Sequence, residues 1–273
     1  MRSFKKKSNK FRFIFFSAVL VIKVFDAQAQ KGDAGELAKK LVNPIASLVS
    51  VPFQNNLDVG IGTNNGWRNT LNFQPVIPVR LSEKLNLIAR WVQPIIFQQD
   101  VMENKSYQGG LSDAVASAFF SPSRVVNGFT WGAGPVFLVP VATNDYLATK
   151  KFGIGPTVVA LKQVNGWTVG ALINQIWSVA GNTDSPPVNQ MFLQPFVAFN
   201  WKSGAGLVVN SETTLNWAAN NATGFINMLV TGITKIGNQM ISLQIGPRIP
   251  IAWPQGGKPD FGIRSAIILV FPK

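Results

Sequence analysis

An alternation of period two recurs along this chain from about residue 51 to its last residues, and it constrains the fold more than any other feature. The segment FGIRSAIILVFPK at 261–273 shows it plainly. Phe261, Ile263, Ser265, Ile267, Leu269 and Phe271 form one series; Gly262, Arg264, Ala266, Ile268 and Val270 form the other. Successive side chains of a strand point to opposite sides, so such a segment has an apolar face and a face that tolerates arginine. The same pattern sets Phe53, Leu57, Val59 and Ile61 against Gln54, Asn56 and Asp58. It sets Leu207, Val209, Leu215 and Trp217 against Asn210, Glu212, Thr214 and Asn216. Near the end, Ile241, Leu243, Ile245, Ile249, Ile251 and Trp253 oppose Ser242, Gln244, Gly246 and Arg248.

Extending the pattern gives about twelve strands: 51–62, 66–80, 85–98, 110–121, 128–141, 151–163, 166–180, 189–201, 206–217, 224–235, 239–252 and 260–271. In 110–121 (GLSDAVASAFFS) small residues occupy both faces, and the register cannot be read. The connections alternate in length. LSEK at 81–84, QVNG at 163–166, KSGAG at 202–206 and IGNQ at 236–239 are short. Those at 98–109, 142–150, 181–188 and 253–260 are longer and polar, although TNNG at 63–66 breaks the pattern.

Composition decides which environment the apolar face meets. Hydrophobic residues make up 47% of the chain and charged residues only 14%, against roughly 25% in a typical soluble domain. The polar face carries Asn, Gln, Thr, Ser and Gly with an occasional Arg, not the Lys and Glu of a water-exposed exterior. An apolar exterior, a polar interior, short turns at one end and long loops at the other are the habit of an outer-membrane barrel. The expected fold is therefore all-β: a closed antiparallel transmembrane β-barrel whose last strand pairs with its first, removing the sheet edges. Tryptophans mark the strand ends. Trp67, Trp177, Trp217 and Trp253 fall at expected outer ends, Trp131, Trp167 and Trp201 at inner ends, and Trp91 in mid-strand. With Phe271 the end-placed tryptophans are read as membrane-interface aromatics, because an indole pairs an apolar ring with one N–H donor.

Residues 1–29 read as a secretory signal peptide, with a basic start, an apolar run from Phe13 to Ile22 and the small-x-small cleavage motif Ala27-Gln28-Ala29. About ten apolar residues fall short of the roughly 20 that a spanning helix needs. Seven of the 25 basic residues and one of the 12 acids lie there; without them the net charge of +13 drops to +7, with no basic cluster to suggest nucleic acid. Residues 30–50 form an N-terminal helical segment, with Leu37, Leu41, Ile45 and Leu48 at helical spacing and Pro44 limiting its length. It either enters the lumen as a plug, lies at the periplasmic mouth or stays an unstructured leader. Residues 51–273 form the barrel.

No histidine or cysteine is present, which removes the usual zinc sites and histidine-based catalytic sets. No metal or other cofactor is expected, and the chain is read as not an enzyme. GAGP at 132–135, GIGP at 153–156 and QIGP at 244–247 resemble phosphate loops only superficially, since they lie in strands without a following helix. They are read as bends or thin places in the wall, as are the Gln-Pro pairs at 74–75, 93–94 and 194–195. Seven charged residues fall on inward positions: Asp58, Arg68, Arg90, Glu212, Lys235, Arg248 and Arg264. In a closed barrel most of the arginines share one wall. They either build a constriction selective for anionic or aromatic-acid solutes or form Arg–carboxylate ladders that fill the lumen.

Several stretches resemble outer-membrane transporters of the "MetA-pathway of phenol degradation" family. They are NPIASLVSVPFQ (43–54), GWRNTLNFQPVIP (66–78), WGAGPVFLVPVAT (131–143), GPTVVALKQ (155–163), GALINQIWSVAG (170–181) and FLQPFVAF (192–199). The resemblance implies a Gram-negative outer-membrane barrel for passive uptake of small, often aromatic, organic compounds; it carries no catalytic motif. Expected partners are outer-membrane lipid, a small-molecule solute and the barrel-assembly machinery during biogenesis, with no nucleic acid. A structural or adhesive surface barrel without transport activity is the alternative, and an enzyme is the less favoured third reading.

Overall fold

The computed structural model describes residues 33–103 and 105–271; the expected signal peptide and its Ala27 and Ala29 lie outside these. One helix, α1 (Asp33–Val42), precedes fourteen strand segments. These are β1 (Val49–Ile61), β2 (Gly66–Phe73), β3 (Val76–Arg80), β4 (Leu85–Gln99), β5 (Tyr107–Leu111), β6 (Ala114–Pro122) and β7 (Phe129–Val139). They continue as β8 (Lys151–Val164), β9 (Trp167–Gly181), β10 (Asn189–Asn200), β11 (Gly206–Asn216), β12 (Asn221–Ile236), β13 (Gln239–Ala252) and β14 (Phe261–Phe271). Segments β2 and β3 are halves of one strand interrupted at Gln74-Pro75, and both pair with β4. Segments β5 and β6 are likewise halves of one strand, broken at Ser112-Asp113. The wall therefore has twelve strands, each antiparallel to its neighbours in chain order.

Closure is direct. β14 pairs with β1 from Val49↔Phe271 to Val59↔Phe261, so no edge remains at the seam. Both chain ends of the barrel lie at this rim, called here the near end; the connections after β1, β4 and β7 lie at the far end. The near-end turn Asn165-Gly166 has positive φ at both residues (48° and 84°), the type I′ geometry that suits the twist of a two-residue hairpin. The longest far-end connection, 140–150, is tied back into the wall. Buried Asp113 accepts from Ala142 N (3.1 Å), Thr149 N (2.6 Å) and Thr149 Oγ1 (2.6 Å).

The exterior is the apolar face. Val59, Phe97, Val158, Val169, Ile173 and Val230 are among the large side chains exposed on it, and in β14 Phe261, Ile263, Ile267 and Phe271 alternate with buried Gly262, Arg264, Ile268 and Val270. Such a surface has no stable place in water and meets the bilayer interior, where closed backbone pairing is obligatory.

The Gly-Pro motifs break the ladder locally. Pairing passes from Ser117↔Val136 to Phe120↔Ala133 at Gly134-Pro135, and from Ile154↔Trp177 to Thr157↔Asn174 at Gly155-Pro156. It passes from Asn227↔Arg248 to Val230↔Ile245 at Gly246-Pro247. Proline supplies no N–H to the ladder. The preceding glycine comes so close to the facing strand that a Cβ would lie 1.9, 1.7 or 1.8 Å from the carbonyl oxygens of Ala118, Gln175 and Met228 respectively.

Candidate functional site: the barrel lumen

Helix α1 puts Ala34 and Ala38 on its buried side and Glu36 and Lys40 on its exposed side. The small residues allow close approach to the 201–205 turn: a Cβ added at Gly204 would lie 2.9 Å from that of Ala34. Asn43 precedes Pro44, which disfavours further helix, and its Oδ1 accepts from Ile45 N (3.0 Å) to fix the turn. Leu37 and Leu41 pack against Leu48, Ile268 and Val270 of the inner wall. Ile45 joins Ile88, Phe119, Val159, Leu161 and Phe196, with Val42 against the same group. Gln163 Nε2 donates to Lys39 O (2.8 Å), taking up a helix-end carbonyl. The near half of the lumen is thus a packed apolar core around residues 42–48.

This corrects the expectation of a lumen that is polar throughout. Inward positions of β4, β6 and β8–β10 carry Ile88, Phe119, Val159, Leu161, Leu172 and Phe196 because they meet the apolar insert rather than water.

In the far half Val136, Leu138 and Ile176 of β7 and β9 form a further apolar cluster, but the wall from β11 through the seam to β5 is polar, and strand register explains how. Asn210, Asn227, Arg248, Gly262, Asp58, Arg68, Gln98 and Gln108 are successive cross-strand partners from β11 through the seam to β5. Their side chains form a nearly continuous hydrogen-bonded row. Asn227 Nδ2 donates to Asn210 Oδ1 (2.8 Å) and Arg248 Nη1 to Asn227 Oδ1 (3.2 Å). Arg248 Nε donates to Asp58 Oδ1 (3.1 Å) across the intervening strand. That reach needs Gly262, where a Cβ would stand 2.4 Å from Asp58 Oδ1. Farther along, Arg68 Nε donates to Gln98 Oε1 (2.7 Å) and Gln98 Nε2 to Gln108 Oε1 (3.1 Å).

Glu212 fastens this row from β11. Its Oε1 accepts from Arg264 Nη1 (2.7 Å) while Oε2 accepts from Arg264 Nη2 and from Arg248 Nη1 (3.2 Å). The Arg264 contact is bidentate, the geometry that guanidinium and carboxylate planes favour. Arg264 Nε donates to Asn56 Oδ1 (2.7 Å), and its residue is only 1% exposed. The Arg248 guanidinium carbon lies 3.4 Å from the Phe225 ring centroid, and Trp253 meets the same ring edge-on. Two arginines and two carboxylates thereby neutralise each other.

Arg68 and Arg90 differ. Neither makes an ion pair within 4.0 Å among the described residues; Arg90 Nη2 donates to Gln74 Oε1 (2.8 Å) and Arg68 holds Gln98. Lys235 lies apart, exposed at the near end of β12. The structure therefore brings Asp58, Glu212, Arg248 and Arg264 into one network, sets Arg68 beside it, and leaves Arg90 in mid-lumen and Lys235 at the rim. Asn56 and Asn210 were read only as polar-face positions, and Gln98, Gln108, Asn227 and Asp113 were not singled out; Gln108 lies in a stretch read as a connection and Asp113 in the segment of unread register, while for the others the one signal is inward parity and the partners follow only from the register.

Tryptophans occupy both rims. Trp131, Trp167 and Trp201 are exposed at the near end, with Phe199 between the last two at 4.9 and 5.2 Å. Trp177 and Trp217 are exposed at the far end, and Trp67 and Trp91 are half-buried. Trp253 departs from this set by turning onto Phe225.

The class that this geometry defines is a twelve-stranded outer-membrane β-barrel. No protein-family profile matches the chain, and no curated protein matches it in sequence. Among solved structures it is similar to the COG4313 outer membrane channel from Pseudomonas putida F1, with TM-score 0.64 and 13% identity over 82% of this chain and 94% of that one. It also resembles the Salmonella typhi outer membrane phospholipase (TM-score 0.46, 11% identity, 87% and 98% covered). Outer membrane phospholipase A from Escherichia coli matches at TM-score 0.45 and 9% identity, with 81% and 96% covered. These enzymes correct one expectation: the reading of the chain as not an enzyme is withdrawn, because enzymes occur among the barrels it resembles. Likeness at this distance assigns this chain no activity.

Proposed function

We propose that this protein is an outer-membrane channel or transporter for passive uptake of small organic solutes, anionic or aromatic in character, and that it belongs to the "MetA-pathway of phenol degradation" family. One observation carries the reading: a cavity of about 270 Å³ lies in mid-lumen, reached by Arg90 and by amide side chains rather than filled by packing. Similarity in fold to a protein described as an outer membrane channel supports it. In this reading residues 1–29 are a signal peptide and 30–50 a segment that plugs the near half, while Arg68 and Arg90 set selectivity. Asp58, Glu212, Arg248 and Arg264 brace the far half, and Lys235 charges the near rim. The rim aromatics seat the barrel in lipid after insertion by the assembly machinery.

The apolar packing around Ile45 favours the second reading, a surface barrel without transport. Single-channel conductance of the refolded protein in planar bilayers, with reversal potential under a salt gradient, decides between them. Anion-selective steps are expected, larger after deletion of 30–48. A folded barrel that stays silent both intact and after the deletion would leave the second reading standing.

A further inference from the structure

The mid-lumen cavity has a chemistry of its own. Among the described residues Arg90 enters it from β4 with no carboxylate within 4.0 Å, and its one side-chain hydrogen bond goes to Gln74, a neutral amide. Glu212 also borders the cavity, yet both of its oxygens are already taken by Arg264, Arg248 and Gln194. Gln54, Asn72, Asn174 and Gln190 line the same space, and none of these four amides has a side-chain partner among the described residues. The remaining wall includes Val92, Val115, Leu172, Ile176 and Phe192. A second cavity of about 150 Å³ lies beside residues 40–46, and Gln74, Arg90 and Gln194 border both.

A guanidinium partly removed from water, whose nearby carboxylate Glu212 is already held by two other arginines, gains when an anion meets it, and its planar fork matches a carboxylate. Unpartnered amides likewise gain from a ligand that hydrogen-bonds them. The apolar wall rewards a ring or short chain on the other side of the ligand. At about 270 Å³ the space is smaller than sites for drug-sized ligands, which run from roughly 300 to 1,000 Å³.

We infer that this cavity is a binding site for a small organic monocarboxylate, its carboxylate on Arg90 and its apolar part against Phe192 and Leu172. This rests on the channel reading and deepens it, since Arg90 stands where the two cavities meet and a passing solute is selected there. Gln74 holds the guanidinium across that junction.

Isothermal titration of the full-length refolded barrel in detergent tests it, with benzoate as the probe and benzamide as its neutral counterpart. Benzoate is expected to bind at least tenfold more tightly than benzamide. Arg90→Gln should abolish that preference, whereas Arg80→Gln, at an exposed arginine ending β3, should leave benzoate affinity within twofold. Retention of the β-rich circular dichroism spectrum certifies each variant as folded. Equal binding of the two probes, or a folded Arg90→Gln barrel that still prefers benzoate, overturns the inference. Binding at equilibrium does not require passage, so the two readings fail separately. A barrel that binds benzoate but never conducts removes the channel reading alone. One that conducts without preferring carboxylate removes this site alone.

Discussion

In the far half of the lumen, Arg248 and Arg264 reach across neighbouring strands to Asp58 and Glu212; in the near half, inward positions of the same parity present Ile88, Phe119 and Leu161 to Ile45. One wall thus encloses two interiors. Along the wall from β11 to β1 the far half holds its strands through directional bonds in which Asp58, Glu212, Arg248 and Arg264 each depend on a partner. The near half holds a separate piece of chain by shape and apolar burial. The first interior responds to loss of a single charge, while the second responds to loss of volume and can come apart without opening the wall. The cavity at Arg90 lies between them, where neither kind of filling is complete.

The sharpest way to break this comparison is to remove the carboxylate shared by two arginines. Glu212→Gln leaves Arg264 and Arg248 with one anion, Asp58, between them. Stranding a buried charge costs about 3–5 kcal/mol, so urea unfolding of the barrel in detergent should shift by an amount of that order. Replacing Glu212 and Arg264 together by Leu and Met should recover most of the loss, since an apolar pair of similar volume is often neutral. If the double variant is as unstable as the single one, the far half is held by packing, and the contrast with the near half disappears.

Ile45→Ala tests the other side. The residue is 3% exposed amid the apolar cluster, and truncating a buried Ile to Ala costs roughly 2–5 kcal/mol. The lower part of that range, about 2–3 kcal/mol, is expected because Val42 can settle into the space. The loss should appear in docking of the insert, read as faster protease cleavage between residues 36 and 48, while the urea midpoint of the barrel stays in place. A matching drop in barrel stability would mean that insert and wall fold as one unit.

These two interiors were unequally legible in the sequence. Strands such as β14, β13 and β11 show clean alternation in their far halves because lipid lies on one side and polar groups on the other. Their spans follow from periodicity, and the closure of the barrel follows from periodicity together with composition and the lengths of the connections. In β6 the neighbours Phe119 and Phe120 point to opposite faces, one fully buried and one 42% exposed. Both faces are apolar there, one towards lipid and one towards the insert, so a period-two reading has no contrast to detect. The charged inward residues were visible as a set for the same reason that β14 was. Their pairing was not, because Glu212 meets Arg264 from three strands away and Arg248 meets Asp58 over a glycine. Those contacts depend on register and on the absence of a side chain at Gly262, neither of which alternation encodes. The ladder breaks at Gly134, Gly155 and Gly246 stand at the other extreme, since proline and a preceding glycine state the lost donor and the close approach directly.

The finest distinction between the halves concerns a single hydrogen bond. Gln163 Nε2 reaches from β8 to Lys39 O of the insert, and also to Thr168 Oγ1 on the neighbouring strand. Gln163→Leu removes the donor and leaves a carbonyl near the end of α1 unmet by the wall. A neutral hydrogen bond contributes about 1 kcal/mol net, so the barrel's unfolding midpoint should hardly move. Amide exchange within α1 should nevertheless quicken about fivefold, the factor that 1 kcal/mol implies for local opening. Exchange in β13 and β14, next to the charged network, should stay as slow as before. Equal acceleration in the helix and in those strands would mean that the insert is coupled through the wall to the far half, and that the lumen behaves as one interior.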